Sequence, residues 1–400
     1  MSETTERHLD VSAAGLLLGT AAFLFPLYTL KPNRVADGES YWAVFSSQPW
    51  LPILFALTTV ALTALVLYRQ RSSREYEATE VLDWMLRSWA LFAFTLPWIF
   101  LHRGAGTTII EQQMELGRAT PTGGLWLTLL GGYVVIHAYL SRQGRRWKDL
   151  LPAVLVLIAI PALGVAGFFE HVSFVLELSA RKARFFQEFG THLKIAGTAV
   201  GAAILIGVPA GIIAFRFKSF GKGVLNLAST VQTIPSLAMF GLLIAPMAML
   251  SRSVPILRDL GITGVGAAPA IVALTLYSLL PIVRNTYTGL AVVPAAVVES
   301  GNGMGMTRRQ LFRMVELPTA LPILLTGVRV ASVQAIGNTT VAALIGAGGF
   351  GRFVFQGIGQ AAPDLIVLGV IPTVLLAVGV DRLFALLVRS VRRAPGEEII

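Results

Sequence analysis

The sequence predicts an all-α polytopic membrane protein of about ten transmembrane helices, and three observations lead there. Hydrophobic residues make up 54% of the 400 residues and charged residues only 14%, with a mean hydropathy of +0.70. A soluble domain carries about 25% charged residues, so this deficit excludes an ordinary water-soluble fold. Apolar runs of membrane length recur along most of the chain, and the polar and basic residues gather in the connectors, the segregation that lipid as solvent imposes.

The runs fall at 11–30, 51–68, 83–101, 124–140, 150–169, 195–215, 224–250, 266–283, 319–345 and 365–388. Each approximates the roughly 17–25 residues a helix needs to cross the hydrocarbon, a few running longer with tilt. Met1–Asp10 holds three acids, with Arg7 and His8 as its basic groups. A cleaved leader wants a basic lead and a small-residue cleavage site, so the first run reads as a retained span. Ten spans put both ends on one side. With the ends inside, the inner connectors hold 18 Lys and Arg against 11 outside. Their members include Arg69, Arg71, Arg74, Arg142, Arg145, Arg146, Lys148, Arg216, Arg284, Arg308 and Arg309. Both termini are therefore expected in the cytoplasm. The run Arg181, Lys182, Arg184 is the exception, since the same rule would place it inside.

The net charge of +10 sits in these connectors rather than as a stripe on a soluble face, which argues topology and not nucleic acid. With no cysteine, disulfides, thiolate metal sites and a cysteine nucleophile are excluded. Residues 1–170 form five spans, an accessory membrane domain without a chemical motif. Residues 171–194 mix charge and apolarity and are expected to lie along the outer interface as an amphipathic linker. From 195 to 400 the texture changes. Gly197 with Gly201, and Gly207 with Gly211, have the four-residue spacing that lets membrane helices approach closely, expected here as packing within the chain.

The most patterned connector is 299–318, ESGNGMGMTRRQLFRMVELP. Leu311, Met314 and Val315 recur at helical spacing against Arg308, Arg309 and Arg313. Glycines 301, 303 and 305 precede that helix and Pro318 is expected to close it, so helix, glycine turn and second helix form a knob. Gly346, Gly348 and Gly351 satisfy GxGxxG, but a dinucleotide site needs a strand before the glycines and this run follows a membrane span. Ser179–Lys182 fits SxxK without its partner motifs. The histidines show no metal-ligand spacing, and His102, His171 and His192 read as interfacial residues. No GxxxxGK occurs, so the chain has no P-loop for ATP. No catalytic cluster and no metal site is expected. Polar groups in or near spans are costly and mark candidate pathway positions: Gln232, Pro235, Ser236, Gln334, Asn338 and Thr339. Pro235 frees a backbone carbonyl for a neighbour or a solute.

The 299–318 connector resembles the EAA loop of type I ABC importer permeases. Glu299, Gly305, Val315, Leu317 and Pro318 fall in register, with Ser300 and Gly301 replacing the usual two alanines. Gly301 is expected to loosen the first helix by about 1 kcal/mol relative to Ala. Residues 232–238 (QTIPSLA), 280–289 (LPIVRNTYTG) and 343–351 (ALIGAGGFG) resemble the osmoprotectant branch, and the likeness covers about 185–393. It implies a C-terminal type I ABC importer permease core of about five helices, with the cytoplasmic coupling loop at 296–318. It also implies the partners: a cytosolic ATPase dimer carrying ATP and Mg, a second permease subunit, an extracytoplasmic solute-binding protein and the lipid of the inner membrane. The implied cargo is glycine betaine, choline or a similar quaternary ammonium compound, with an amino acid or sulfonate as the alternative. A secondary transporter would want carboxylates in the spans for ions or protons, and they are nearly absent.

Overall fold

The structure, a computed structural model, describes residues 3–33, 36–42, 50–71, 79–141, 149–259 and 261–392. Of the basic connector groups, Arg34, Arg74, Arg142, Arg145, Arg146, Lys148 and Arg393 lie outside the described residues. The chain divides into two compact units, Met1–Ala180 and Arg181–Ile400.

The first unit runs α1 (Glu3–Ala22), β1 (Tyr28–Lys31), β2 (Glu39–Tyr41), α2 (Trp50–Arg71), α3 (Thr79–Glu111), β3 (Arg118–Pro121), α4 (Gly123–Leu140), α5 (Leu151–Val165) and α6 (Ser173–Ala180). Of these α2, α3 and α4 are long and apolar enough to cross a membrane, while Asp10–Ala22 and Leu151–Val165 are shorter apolar helices. With 15 residues α5 reaches only about 22 Å, less than a hydrocarbon core of about 30 Å. The expected span 11–30 starts earlier and stops at Ala22. Pro26 lacks the N–H a continuing helix needs, and the β-favouring Tyr28 and Thr29 beyond it enter a strand.

That strand belongs to one small sheet set among the helices of an otherwise all-α unit. β1 lies between β2 and β3 in an antiparallel sheet with Tyr28 opposite Tyr41 and Thr29 opposite Thr120. The register puts the rings of Tyr28 and Tyr41 in a stack 5.3 Å apart. Leu16, Leu86, Leu101 and Leu125 fill the core of this unit, where Trp89 Nε1 donates to Thr59 Oγ1 at 2.9 Å. Two buried acids are paired there, Asp149 with Arg87 at 2.6 Å and Glu177 with Arg118 at 2.9 Å.

The second unit runs α7 (Lys182–Arg216), α8 (Lys218–Thr233), α9 (Ser236–Ser253), α10 (Pro255–Asp259), α11 (Ala267–Ala291), α12 (Ala295–Gly303) and α13 (Arg308–Leu311). A π-helical turn, Phe312–Glu316, leads into α14 (Leu317–Ala342), then a 3-10 turn (Ala343–Ile345), α15 (Gly351–Gly359) and α16 (Pro363–Arg392). Five stretches here meet the length and hydropathy of a span, in or around α7, α9, α11, α14 and α16.

Three expectations change. The linker 171–194 is no separate element: 173–180 is α6, and α7 runs unbroken from Lys182 through 194. No proline interrupts 182–208, and the buried Glu188 and His192 continue the face formed by Ile195 and Ala199. The run 224–250 is broken at Ile234–Pro235, where Ile234 has ψ 126°. Proline removes a donor and biases the preceding residue to extended backbone, so α8 ends and α9 starts afresh. Pro318 does not close a helix; it sits in the first turn of α14, where a missing N–H costs nothing.

The glycine pairs also part company. A Cβ on Gly211 would stand 2.6 Å from Thr286 Cβ and 2.9 Å from the Val283 carbonyl, so α7 and α11 meet backbone to backbone. At Gly197 and Gly201 nothing lies within 4 Å of that position, so the expected intrachain packing fails for this pair. Gly211→Val is therefore expected to destabilise the chain by about 1–3 kcal/mol through overpacking, whereas Gly197→Val should leave it unchanged. Thermal unfolding of the two purified variants in detergent checks this, and equal shifts would refute the packing assignment.

Candidate functional site

Two features of the second unit bring the sequence-marked residues together. The first is the connector 295–318. Its first helix, α12, ends in a Schellman motif: the Met306 N–H donates to the Gly301 carbonyl at 3.1 Å and the Gly305 N–H to that of Asn302 at 2.9 Å. Gly305 supplies the left-handed residue, φ +77°, that the motif requires. No atom lies within 4 Å of where its Cβ would stand, so the backbone conformation demands glycine and the chain's own packing does not. Thr307 then caps the second helix in a capping box: its Oγ1 accepts the Gln310 N–H at 3.3 Å, and Gln310 Oε1 accepts the Thr307 N–H at 2.9 Å.

Gly301 does something other than loosen α12. It is buried, and a Cβ there would stand 2.6 Å from Leu311 Cδ1. Its smallness lets the second helix close onto the first. Glu299 and Ser300 are exposed on α12, the Ser300 hydroxyl donating back to the Ala296 carbonyl at 2.8 Å. Val315 and Leu317 are half-buried and Pro318 exposed on the stretch leading into α14.

The second feature is a cavity of about 470 Å³ at the break between α8 and α9. It is lined by Gln232, Pro235, Ser236, Gln334 and Asn338, together with Thr233, Ile234, Tyr277 and Gly337. The break is braced by α11: the Tyr277 hydroxyl donates to the Ile234 carbonyl at the break, and Gln232 Nε2 donates to the Tyr277 carbonyl at 2.9 Å. Thr339 does not join the cavity. It is fully buried and donates to the Ala335 carbonyl at 2.7 Å within α14. The walls are thus amide, hydroxyl and backbone carbonyl around a single aromatic ring, without a charged group. Such a lining can pass a small dipolar solute through weak hydrogen bonds, and it carries no acid, base or nucleophile arrangement for covalent chemistry.

Comparison with known proteins decides the family. Residues 203–393 match the family described as binding-protein-dependent transport system inner membrane component. The choline transport system permease protein OpuBD of Bacillus subtilis is 42% identical over 204 residues, covering 51% of this chain and 83% of that protein. The chain belongs to this permease family. The glycine betaine/carnitine/choline transport system permease protein OpuCB of B. subtilis is 40% identical, over 50% of this chain and 86% of its own length. The osmoprotectant import permease protein OsmW of Salmonella typhimurium is 42% identical, over 48% and 83%. Residues 7–175 match a second family, the N-terminal domain of ABC transporter permease YehY. The protein is a multi-pass inner-membrane permease subunit of the osmoprotectant branch.

Sequence reasoning did not find the partners of three buried or intramembrane groups of this permease. Glu316, inside the connector motif, is buried and forms an ion pair with Arg216 at the end of α7. The Arg216 guanidinium also lies 5.8 Å from the Phe312 ring, so the connector is fastened to the C-terminal end of α7. Arg329 of α14 and Asp381 of α16 form a bidentate pair at 2.6 and 2.7 Å. His192, read as interfacial, is fully buried: its Nδ1 accepts the Phe350 N–H at 3.3 Å, so Nε2 carries the proton and donates to the Ile336 carbonyl at 3.0 Å. One signal was present for the first two groups. Charges within or bordering apolar runs must find partners, and each of these acids has an arginine on a neighbouring span.

Proposed function

We propose that this permease carries a quaternary-ammonium osmolyte, glycine betaine, choline or a close relative, into the cytoplasm, driven by a separate pair of cytosolic ATPases. An extracytoplasmic protein delivers the solute, two permease subunits form the route, and both chain ends lie inside. The observation that carries the reading is the 295–318 hairpin, whose left-handed Gly305 and capped second helix build a compact knob on the end of α14. A rigid knob continuous with a membrane helix can pass a partner's motion directly into the span. The chain's own part is alternation between states of the α8–α9 cavity. ATP and Mg belong to the partner subunits. With one aromatic ring, the cavity offers a compact cation only about 0.5–2 kcal/mol of cation–π attraction, which suits transient passage and leaves tight capture to the delivering protein. Residues 1–170 act as an accessory membrane domain.

The test is to co-purify the tagged chain from its native cells, identify the ATPase and binding protein that accompany it, and measure uptake by vesicles holding the assembly. ATP-dependent uptake of labelled glycine betaine or choline, competed by the other, is expected. Saturable uptake of an amino acid or sulfonate uncompeted by betaines would overturn the cargo. The chain has no cysteine, so single cysteines at 309 and 37 can be labelled from either side. Labelling is expected from the inside at 309 and from the outside at 37, and outside labelling at 309 would refute the coupling role.

A further inference from the structure

The Lys and Arg bias leaves one group on the wrong side. Arg181, Lys182 and Arg184 open α7 at the end opposite the 295–318 hairpin, an arrangement the topological rule opposes unless something outside uses it. The structure shows what organises this end. Glu188, only 2% exposed, takes Arg184 Nε at 2.8 Å and Arg352 Nη1 at 2.9 Å, and also accepts the Gly349 N–H at 2.7 Å. The turn that leads into α15, whose first turn carries Arg352, is held from a second point by the His192–Phe350 hydrogen bond. It fits closely against α7, since a Cβ on Gly349 would stand 3.0 Å from His192 Nδ1. One buried carboxylate thus organises two arginines whose side chains stay 44% and 47% exposed. Glu188 neutralises one of those charges and takes one donor of the five each guanidinium owns, and Arg184 Nη1 also donates to Gln187 Oε1 at 3.4 Å, so the cluster presents net positive charge and further planar donors on a fixed base.

We infer that Arg184 and Arg352, staged by Glu188, form an extracytoplasmic docking point for surface carboxylates of the solute-binding protein. The inference rests on the proposed function and orientation above. Fixed guanidinium forks favour bidentate recognition of a protein carboxylate over the diffuse attraction that holds anionic lipid headgroups. Complementary charge of this kind acts chiefly on encounter and affinity and weakens with salt.

The probe is the binding protein recovered in the co-purification, added to the permease–ATPase complex in nanodiscs. ATP hydrolysis is followed against binding-protein concentration at low and high salt. For Arg184→Gln/Arg352→Gln the half-saturating concentration is expected to rise about tenfold or more and lose most of its salt dependence, with the maximal rate retained. Lys194→Gln removes an exposed charge from the same helix and should shift it less than about twofold. An unchanged half-saturation, a fall in maximal rate alone, or an equal shift in Lys194→Gln would overturn the inference. So would a shift that disappears in nanodiscs of neutral lipid, which would assign the arginines to anionic headgroups. A wild-type complex that no binding protein stimulates would instead be a failure of the functional reading.

Discussion

Gly305→Val is expected to lower solute uptake about tenfold or more while the permease still reaches the membrane at wild-type level. The cause lies in the backbone. Gly305 holds φ +77°, where a β-branched residue is strongly disfavoured, and the Schellman motif that ends α12 depends on that conformation. Strain of about 1–3 kcal/mol would unwind the turn or swing α12 away from α13, and the knob proposed to meet the ATPase would lose its shape. Insertion is spared because the site is exposed and nothing packs against the missing side chain. Gly305→Asn separates two explanations. Asparagine tolerates the left-handed region better than other side chains, so it should keep most of the uptake if backbone strain is what glycine avoids. The measurements are uptake and the amount of ATPase recovered with each variant. Gly305→Asn as inactive as Gly305→Val would shift the cause to a side chain striking the partner, and undiminished ATPase recovery with Gly305→Val would remove the hairpin from the coupling role.

Sequence alone went furthest where lipid does the selecting. Long apolar stretches had to become helices because no other backbone arrangement satisfies its hydrogen bonds in hydrocarbon, and the helical majority was legible for that reason. Where other forces rule, the pattern misled. Hydropathy cannot see the break at Ile234–Pro235, because proline leaves the run just as apolar while ending α8. Nor can it distinguish Gly211, pressed on Thr286, from Gly197, which faces open space, since both are spaced alike in sequence. The small strands β1, β2 and β3 lie between spans and are too short, at three or four residues, for a periodic signal. Of the candidate pathway residues, five meet at one cavity because the α8–α9 break turns Gln232 and Ser236 toward the same space as Gln334 and Asn338. Thr339 follows Asn338 by about 100° around α14 and so faces the core instead. Gly301 was legible as a departure from alanine, but its burial under Leu311, which reverses the expected effect, is a tertiary fact.

Asp381→Ala is expected to be the most damaging single change to the stability of the second unit. Arg329 lies about 18 Å along the helix from the start of α14, and Asp381 about 27 Å from the start of α16, so both fall within the apolar stretches of those helices, Asp381 toward the far side of a core about 30 Å thick. Removing the carboxylate leaves a guanidinium unpaired there, at a cost of up to about 2.5–3.5 kcal/mol, the insertion-scale value for the centre of a span. The pair is about one-third exposed, so water or a lipid headgroup drawn inward can recover part of that. Asp381 sits among Ala377, Val380 and Phe384, which pack α16 against the core shared with α7 and α14, so an unpaired Arg329 would also disturb that seam. The double replacement Arg329→Met/Asp381→Leu removes both charges and keeps apolar volume, and it should recover most of the lost stability. Thermal unfolding and the yield of monodisperse protein in detergent decide between outcomes. If the double variant is as unstable as Asp381→Ala, the two residues do not act as a pair. If it is stable yet transport-inactive, the pair takes part in the alternation between states rather than in holding the helices together.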